Sequence, residues 1–214
     1  MLPVKEIILS GAILMAVAYL LGSLPFSVWV GKVFYGKDIR EHGSGNAGAT
    51  NTWRVLGWKA GLPVLLLDIT KGFGATFLPY IYPSHTADPE WLLWLRILCG
   101  SAAALGHIYP LFAGFRGGKA VATLLGVILG LMPMAAVGSL AVFILALGIS
   151  RMVSLGSILA SISLPLMDWF MLPSVQLPLL IFSGLITMLV IITHKKNIQR
   201  IIRREESRVR LGKT

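Results

Sequence analysis

Residues 7–31 run for 25 positions without Asp, Glu, Lys, Arg or His. A bilayer's hydrocarbon core takes about 20 helical residues to cross, so this run reads as a first transmembrane helix. Ala16-Val17-Ala18 resembles a signal-peptide cleavage site, but the apolar stretch continues well past it, too long for a secretory signal, and an uncleaved anchor is expected. With mean hydropathy +0.79 and only 13% charged residues, the 214-residue chain as a whole lies outside the soluble range. The expectation is an all-α integral membrane protein forming a single domain over residues 1–214, with a basic tail at 194–214.

Further apolar segments at 60–80, 91–113, 120–132, 134–150, 152–172 and 176–193 bring the expected total to about seven crossings. Residues 120–150 hold 31 positions without charge, long for one helix and short for two, and Pro133 sits where a tight turn would go. Charge parity decides for two. The loops at 32–59, 116–119 and 151 and the tail after 194 then share one side and carry 16 of the 19 Lys and Arg residues. The opposite connections, at 81–90, around Pro133 and at 173–176, carry none. By the positive-inside rule the basic side is cytoplasmic and the N-terminus is outside. The net charge of +10 is then orientation and contact with anionic membrane lipids, and nucleic acid is not an expected partner. Tyr80, Tyr82, Trp91, Trp94 and Trp169 suit the outer interfacial belt. Cys99 has no partner for an intramolecular disulfide.

Three polar elements fall on the cytoplasmic side. Residues 43–51, GSGNAGATN, lie just before the second apolar segment and are followed by Arg54. Glycine allows a backbone to approach an anion closely, and Ser44, Asn46 and their neighbours add side-chain donors, so the loop reads as a phosphate site, with a flexible linker as the alternative. A second cluster, Gly114-Phe115-Arg116-Gly117-Gly118-Lys119, opens the fourth span and invites the same reading. It departs from the P-loop pattern at Ala113 and Ala120, so Lys119 would act as a bare charge near a helix N-terminus. The third, His194 to Arg200, follows the last span; His194 and Asn197 are three apart and share a helix face. A basic juxtamembrane segment is also what a topology anchor looks like.

Taken together, "GSGNAGATNTWR" (43–54), "GHIYPLFAGFRGGKAVAT" (106–123) and "HKKNIQR" (194–200) resemble the three signatures of the bacterial membrane-integral, acyl-phosphate-dependent glycerol-3-phosphate acyltransferases, the PlsY family. "LLLDITKG" and "RMVSLGS" are similar to family stretches too. Two departures stand out: Ala120 follows Lys119 where the family has glycine, and Arg204 replaces a glycine near the end of the third signature. The second leaves the role of the tail beyond Arg200 open.

The resemblance implies transfer of a fatty acyl group from acyl phosphate to the 1-hydroxyl of glycerol 3-phosphate, giving lysophosphatidic acid and phosphate, the first step of phospholipid synthesis. It places the enzyme in the bacterial inner membrane with its site facing the cytoplasm, and implies a handoff from an enzyme that makes acyl phosphate. Ser44, Ser157 and His194, with Gly45 and Asn46, would cradle the acyl-phosphate end and its developing oxyanion. Arg54, Lys119 and Asn197 would take the glycerol 3-phosphate anion, with Gly117 and Gly118 in the same loop. No cofactor and no metal is expected. No His-x4-Asp pair is present, because Ala47, Glu90, Phe112 and Gln199 stand fifth after the four histidines. Positioning and charge neutralisation are expected to dominate, with a substrate phosphate oxygen as proton acceptor. Asp68 and Lys71 read as a structural ion pair bracing the site, and His107 as a packing histidine. Arg96 and Asp168 read as snorkelling side chains. A transporter of a phosphate ester or other anion is the alternative, although transporters place their binding residues near the midplane.

Overall fold

The computed structural model describes residues 4–82, 85, 88–171 and 176–209, and among them it is helical with no strand. Ten α-helices follow in order: α1 (Val4–Gly22), α2 (Phe26–Tyr35), α3 (Ala49–Leu56), α4 (Trp58–Ala75), α5 (Pro89–Ile108), α6 (Val121–Leu131), α7 (Pro133–Ser150), α8 (Val153–Met171), α9 (Leu177–Thr193) and α10 (Lys195–Ile202). Residues 83, 84, 86 and 87 of the connection expected at 81–90, residues 173–175 of that at 173–176, and the last five residues of the tail lie outside the described residues. Among the described residues, four helical stretches are long and apolar enough to cross a membrane: Lys5–Tyr35, Pro89–Ala113, Pro133–Ser150 and Val153–Met171. Leu177–Thr193 with Lys195–Ile202, bent by 64°, makes a fifth. A helix lies on each of the seven apolar segments, but α6 is only 11 residues long and α4 carries Lys59, Asp68 and Lys71.

The 25-residue run is not one continuous helix. Pro25 lacks an N–H and disfavours helical backbone at Leu24, so α1 ends at Gly22 and α2 restarts at Phe26. Between α6 and α7 the break comes at Met132, and Pro133 takes the first helical position, where its missing N–H costs nothing.

The chain divides into two compact units, residues 1–131 and 132–214. In the first, α1 packs along α5, and α4 along α6 and α3. The α4–α6 crossing is close because it is made by glycines: a Cβ on Gly72 would overlap the Thr123 carbonyl, and one on Gly126 the Ile69 carbonyl. Small residues at such seams let helix backbones approach where lipid offers no hydrophobic drive. Arg96 does not snorkel to water. Its guanidinium donates to the carbonyls of Thr76 and Gly130, at the ends of α4 and α6, and lies 5.4 Å from the ring centres of both Phe77 and Tyr80. A cation at two helix C-termini is stabilised by both dipoles.

In the second unit, α8 packs against α7 and α9, and α10 against α8. Thr187 donates to the Ser161 carbonyl at 2.6 Å, tying α9 to α8. Asp168 is also not a snorkelling residue. It is 1% exposed, with Ser183 Oγ 3.5 Å from Oδ2 and Oδ1 without a hydrogen-bond partner. Hydropathy cannot tell an acid facing a helix neighbour from one facing headgroups.

Candidate active site

The first loop is held by one buried side chain. Asn51, 1% exposed on α3, donates from Nδ2 to the carbonyls of Ile39 (2.9 Å) and His42 (3.0 Å), and its Oδ1 accepts the Ser44 N–H at 2.8 Å. All three bonds close on one turn, which Gly43 (φ 61°) and Gly45 (φ 71°) make possible in the left-handed region. Ser44 and Arg54 stand exposed, and Asn46 is half-buried. The Gly45 and Gly48 amides bond within the loop, to His42 and Asn46 carbonyls. What the loop presents outward is therefore side-chain oxygen and nitrogen, the first-turn amides of α3, and the Arg54 cation rather than a nest of glycine amides.

The second loop closes on the end of α5. Gly117 N–H donates to the Ile108 carbonyl (3.2 Å) and Gly118 N–H to that of His107 (3.1 Å), satisfying two carbonyls that a helix end leaves open. These glycine amides are thus engaged, and Lys119 follows them just before α6. Ala120 sits at φ 59° and its carbonyl accepts the first α6 bond, from Leu124 N at 2.7 Å. The glycine that the related signature carries here would hold this conformation without strain. Arg204, the other departure, is also at φ 59°.

Arg40 joins the two loops. It forks onto Asp38 (Nε 3.0 Å, Nη2 2.7 Å) and donates from Nη1 to the Ala113 carbonyl at 2.8 Å. The Arg40 guanidinium holds the Asp38 carboxyl well below the usual carboxylate range, with Lys32 at 3.2 Å adding to it. Residues 40 and 113 are 73 apart, so no local pattern announces the tie.

In the second unit, Ser157 is buried and donates to the Val153 carbonyl (2.9 Å), which directs its oxygen lone pairs away from its own helix. His194 ends α9 and is 3% exposed, with Nδ1 2.9 Å from the Val190 carbonyl. A carbonyl only accepts, so Nδ1 carries the proton and a neutral His194 keeps its basic lone pair on Nε2. Asn197 donates from Nδ2 to Glu206 Oε1 at 2.7 Å, as does Ser154 Oγ at 2.7 Å, while Arg200 Nε reaches Oε2 at 2.9 Å. Burial pushes the Glu206 carboxyl up, but these three hydrogen bonds outweigh it and the net shift is downward. Val209 N–H then bonds the Arg151 carbonyl at 2.7 Å. The tail from Ile201 to Val209 is therefore part of the fold. The one available signal was a pair of acids in a strongly basic segment.

The apolar helices, four of them long enough to span, define a multi-pass membrane protein whose polar loops carry Arg54 and Lys119. A family model described as glycerol-3-phosphate acyltransferase matches residues 12–204. The glycerol-3-phosphate acyltransferase of Listeria welshimeri is 48% identical over 92% of this chain and 96% of the relative; that of Chlorobaculum tepidum is 42% identical over 94% and 97%. The crystal structure of PlsY (YgiH), an integral membrane glycerol 3-phosphate acyltransferase, in its glycerol 3-phosphate form superposes with a TM-score of 0.82. It shows 38% identity over 94% of this chain and 96% of that one. Its lysophosphatidic acid form gives 0.78. The chain belongs to the glycerol-3-phosphate acyltransferase family.

Proposed function

We propose that this protein transfers a fatty acyl group from acyl phosphate to the 1-hydroxyl of glycerol 3-phosphate, forming lysophosphatidic acid and phosphate. The observation that carries the reading is the pair of cation-bearing loops joined through Arg40 beside apolar helices, in a chain whose relatives are glycerol-3-phosphate acyltransferases throughout its length. The glycerol hydroxyl oxygen attacks the acyl carbon, the bond from that carbon to the phosphate oxygen breaks, and the hydroxyl proton passes to a substrate phosphate oxygen. Arg54 and Lys119 hold the glycerol 3-phosphate anion in the setting made by Gly117 and Gly118, and Asn197 is assigned to the same anion by the resemblance of its motif. Ser44, Gly45 and Asn46 hold the acyl-phosphate end, to which Ser157 and His194 are assigned by the resemblance of their motifs. A mixed anhydride is already activated, so orientation and charge neutralisation supply most of the rate.

Residues 1–214 work as one acyltransferase domain, in keeping with a family model that runs from 12 to 204. Seven crossings, by α1, α4 and α5 through α9, put the basic loops and the site on the cytoplasmic face of a bacterial inner membrane, where an enzyme making acyl phosphate would hand over the donor. In detergent, with no vesicle present, the purified protein is expected to release phosphate from acyl phosphate only when glycerol 3-phosphate is added. No release in detergent together with acceptor movement across vesicles would favour an anion transporter instead, and release without the acceptor would mean hydrolysis rather than transfer. Long-chain acyl-CoA is expected to give no product in the same assay, and equal rates with the thioester would overturn the choice of donor.

A further inference from the structure

Beneath the second loop lies a buried polar cluster that the transfer chemistry leaves unused. Asp68 and Lys71, three apart on α4, pair at 2.8 Å with side chains 2% and 3% exposed. Lys71 also donates to the Leu24 carbonyl at 3.0 Å, next to the break between α1 and α2, and lies 5.5 Å from the centre of the Phe26 ring. The Asp68 oxygen that pairs with Lys71 is 3.5 Å from Nδ1 of His107, and the same nitrogen is 3.0 Å from Thr123 Oγ1 on α6. Leu24, Phe26, Ala47, Asp68, Lys71 and His107 bound a cavity with room for about one water molecule.

His107 meets the second loop twice, once by its backbone and once by the other edge of its ring. Its carbonyl takes the Gly118 N–H, and its Nε2 lies so close to the Gly118 Cα that a Cβ there would overlap it. That Cβ would also come within 2.7 Å of the Ala47 carbonyl in the first loop. Lys119 follows directly, and Thr123, which orients the ring, lies in the first turn of the helix that Lys119 precedes. One imidazole is therefore wedged between a charged helix interior and the backbone that aims Lys119.

We infer that His107 is a positioning residue for glycerol 3-phosphate binding: its ring, oriented by Thr123 and by Asp68 with Lys71, sets the place of Gly118 and through it the direction of Lys119. The inference rests on the acyltransferase reading above. It separates from a packing role by what it changes. Loss of packing alone lowers the amount of folded enzyme and with it the apparent kcat, whereas a misdirected Lys119 weakens use of one substrate. Thr123→Val is nearly isosteric and removes only the hydroxyl. It is expected to raise the KM for glycerol 3-phosphate about two- to tenfold, the range that one neutral hydrogen bond supports, with kcat per folded enzyme and the KM for acyl phosphate within about twofold. His107→Ala is expected to raise the same constant at least as far, and His107→Asn, which keeps a donor near the Nδ1 position but places nothing against Gly118, to raise it as well. In the His107→Ala background, Thr123→Val should add nothing, because its effect passes through the ring. If His107→Ala does not accumulate, Thr123→Val and His107→Asn carry the test. An unchanged glycerol 3-phosphate KM in Thr123→Val, or fully additive effects in the double variant, would overturn the inference while the parent's activity still supports the reaction. A parent that shows no glycerol 3-phosphate-dependent phosphate release would overturn the reaction and this inference with it.

Discussion

Arg54 and Lys119 carry the same charge and differ in what they can grip. A guanidinium makes two parallel N–H bonds to a phosphate, and an ammonium makes a point contact. Arg54→Lys keeps the charge and loses the fork. With a charge-assisted bond contributing about 1.5–3 kcal/mol, this change is expected to raise the glycerol 3-phosphate KM roughly ten- to a hundredfold and leave that for acyl phosphate largely unchanged. Ser44→Ala is expected to act the other way, lowering turnover at saturating glycerol 3-phosphate, the pattern of a contact felt mainly in the transition state. Steady-state kinetics with each substrate varied in turn separates the two outcomes. Equal constants for Arg54→Lys and the parent would remove Arg54 from the phosphate. The two residues that depart from the family's glycines make a separate case. Ala120 and Arg204 both hold a left-handed backbone, at φ 59° each. Ala120→Gly and Arg204→Gly are each expected to stabilise the fold by up to about 1 kcal/mol, since relief of strain exceeds glycine's greater entropy loss. The midpoint of thermal unfolding in detergent reads it. A lower midpoint for Arg204→Gly, whose side chain is exposed, would show that the backbone there is unstrained.

Among the elements, α10 and the segment after it respond to pH. Glu206 has a folded-state pKa held below its unfolded value by Ser154, Asn197 and Arg200. Its contribution is therefore present above the ordinary glutamate range and is lost as the pH falls through the lower folded value. The tail is expected to resist trypsin at Arg203, Arg204 and Arg208 at neutral pH, and Glu206→Gln to be cut there much faster without acidification. Loss of a charged acceptor costs about 1.5–3 kcal/mol per hydrogen bond, enough to release so short a segment. Equal digestion of both proteins would mean that Glu206 does not hold the tail. Elements were also the scale at which sequence reading served best. Each apolar segment coincides with a helix, and Pro133 marks its break, because partition into hydrocarbon and the lack of one N–H are local properties. What escaped was relational. Pro25 lay inside a run that hydropathy scored as unbroken, and α3 was hidden in a loop recognised only for its polarity. Asp168 and Arg96 looked alike from outside, yet one is enclosed beside Ser183 and the other joins two helix ends. In the candidate site, residue types were legible from the motifs. Their supports, Arg40 to Ala113, Asn51 to Ile39 and Asn197 to Glu206, were not, because no periodicity encodes a bond between a side chain and a distant partner.

For the molecule as a whole, 16 of the 19 basic residues fall on the loops and tail assigned to the cytoplasm. A cysteine replacing Arg208 is expected to stay unlabelled by an impermeant maleimide in intact cells and to react after permeabilisation, and one replacing Asp88 to react in both. The reverse pattern would invert the proposed topology. The order in which the chain is made adds a further constraint. All three signatures, including Asn197, emerge from the ribosome before Glu206 does, and it is Glu206 that holds the Asn197 amide. A nascent or truncated chain that stops between them has every signature residue but lacks the carboxylate that accepts from the Asn197 amide. A fragment that ends between them is therefore expected to be less active than the full chain.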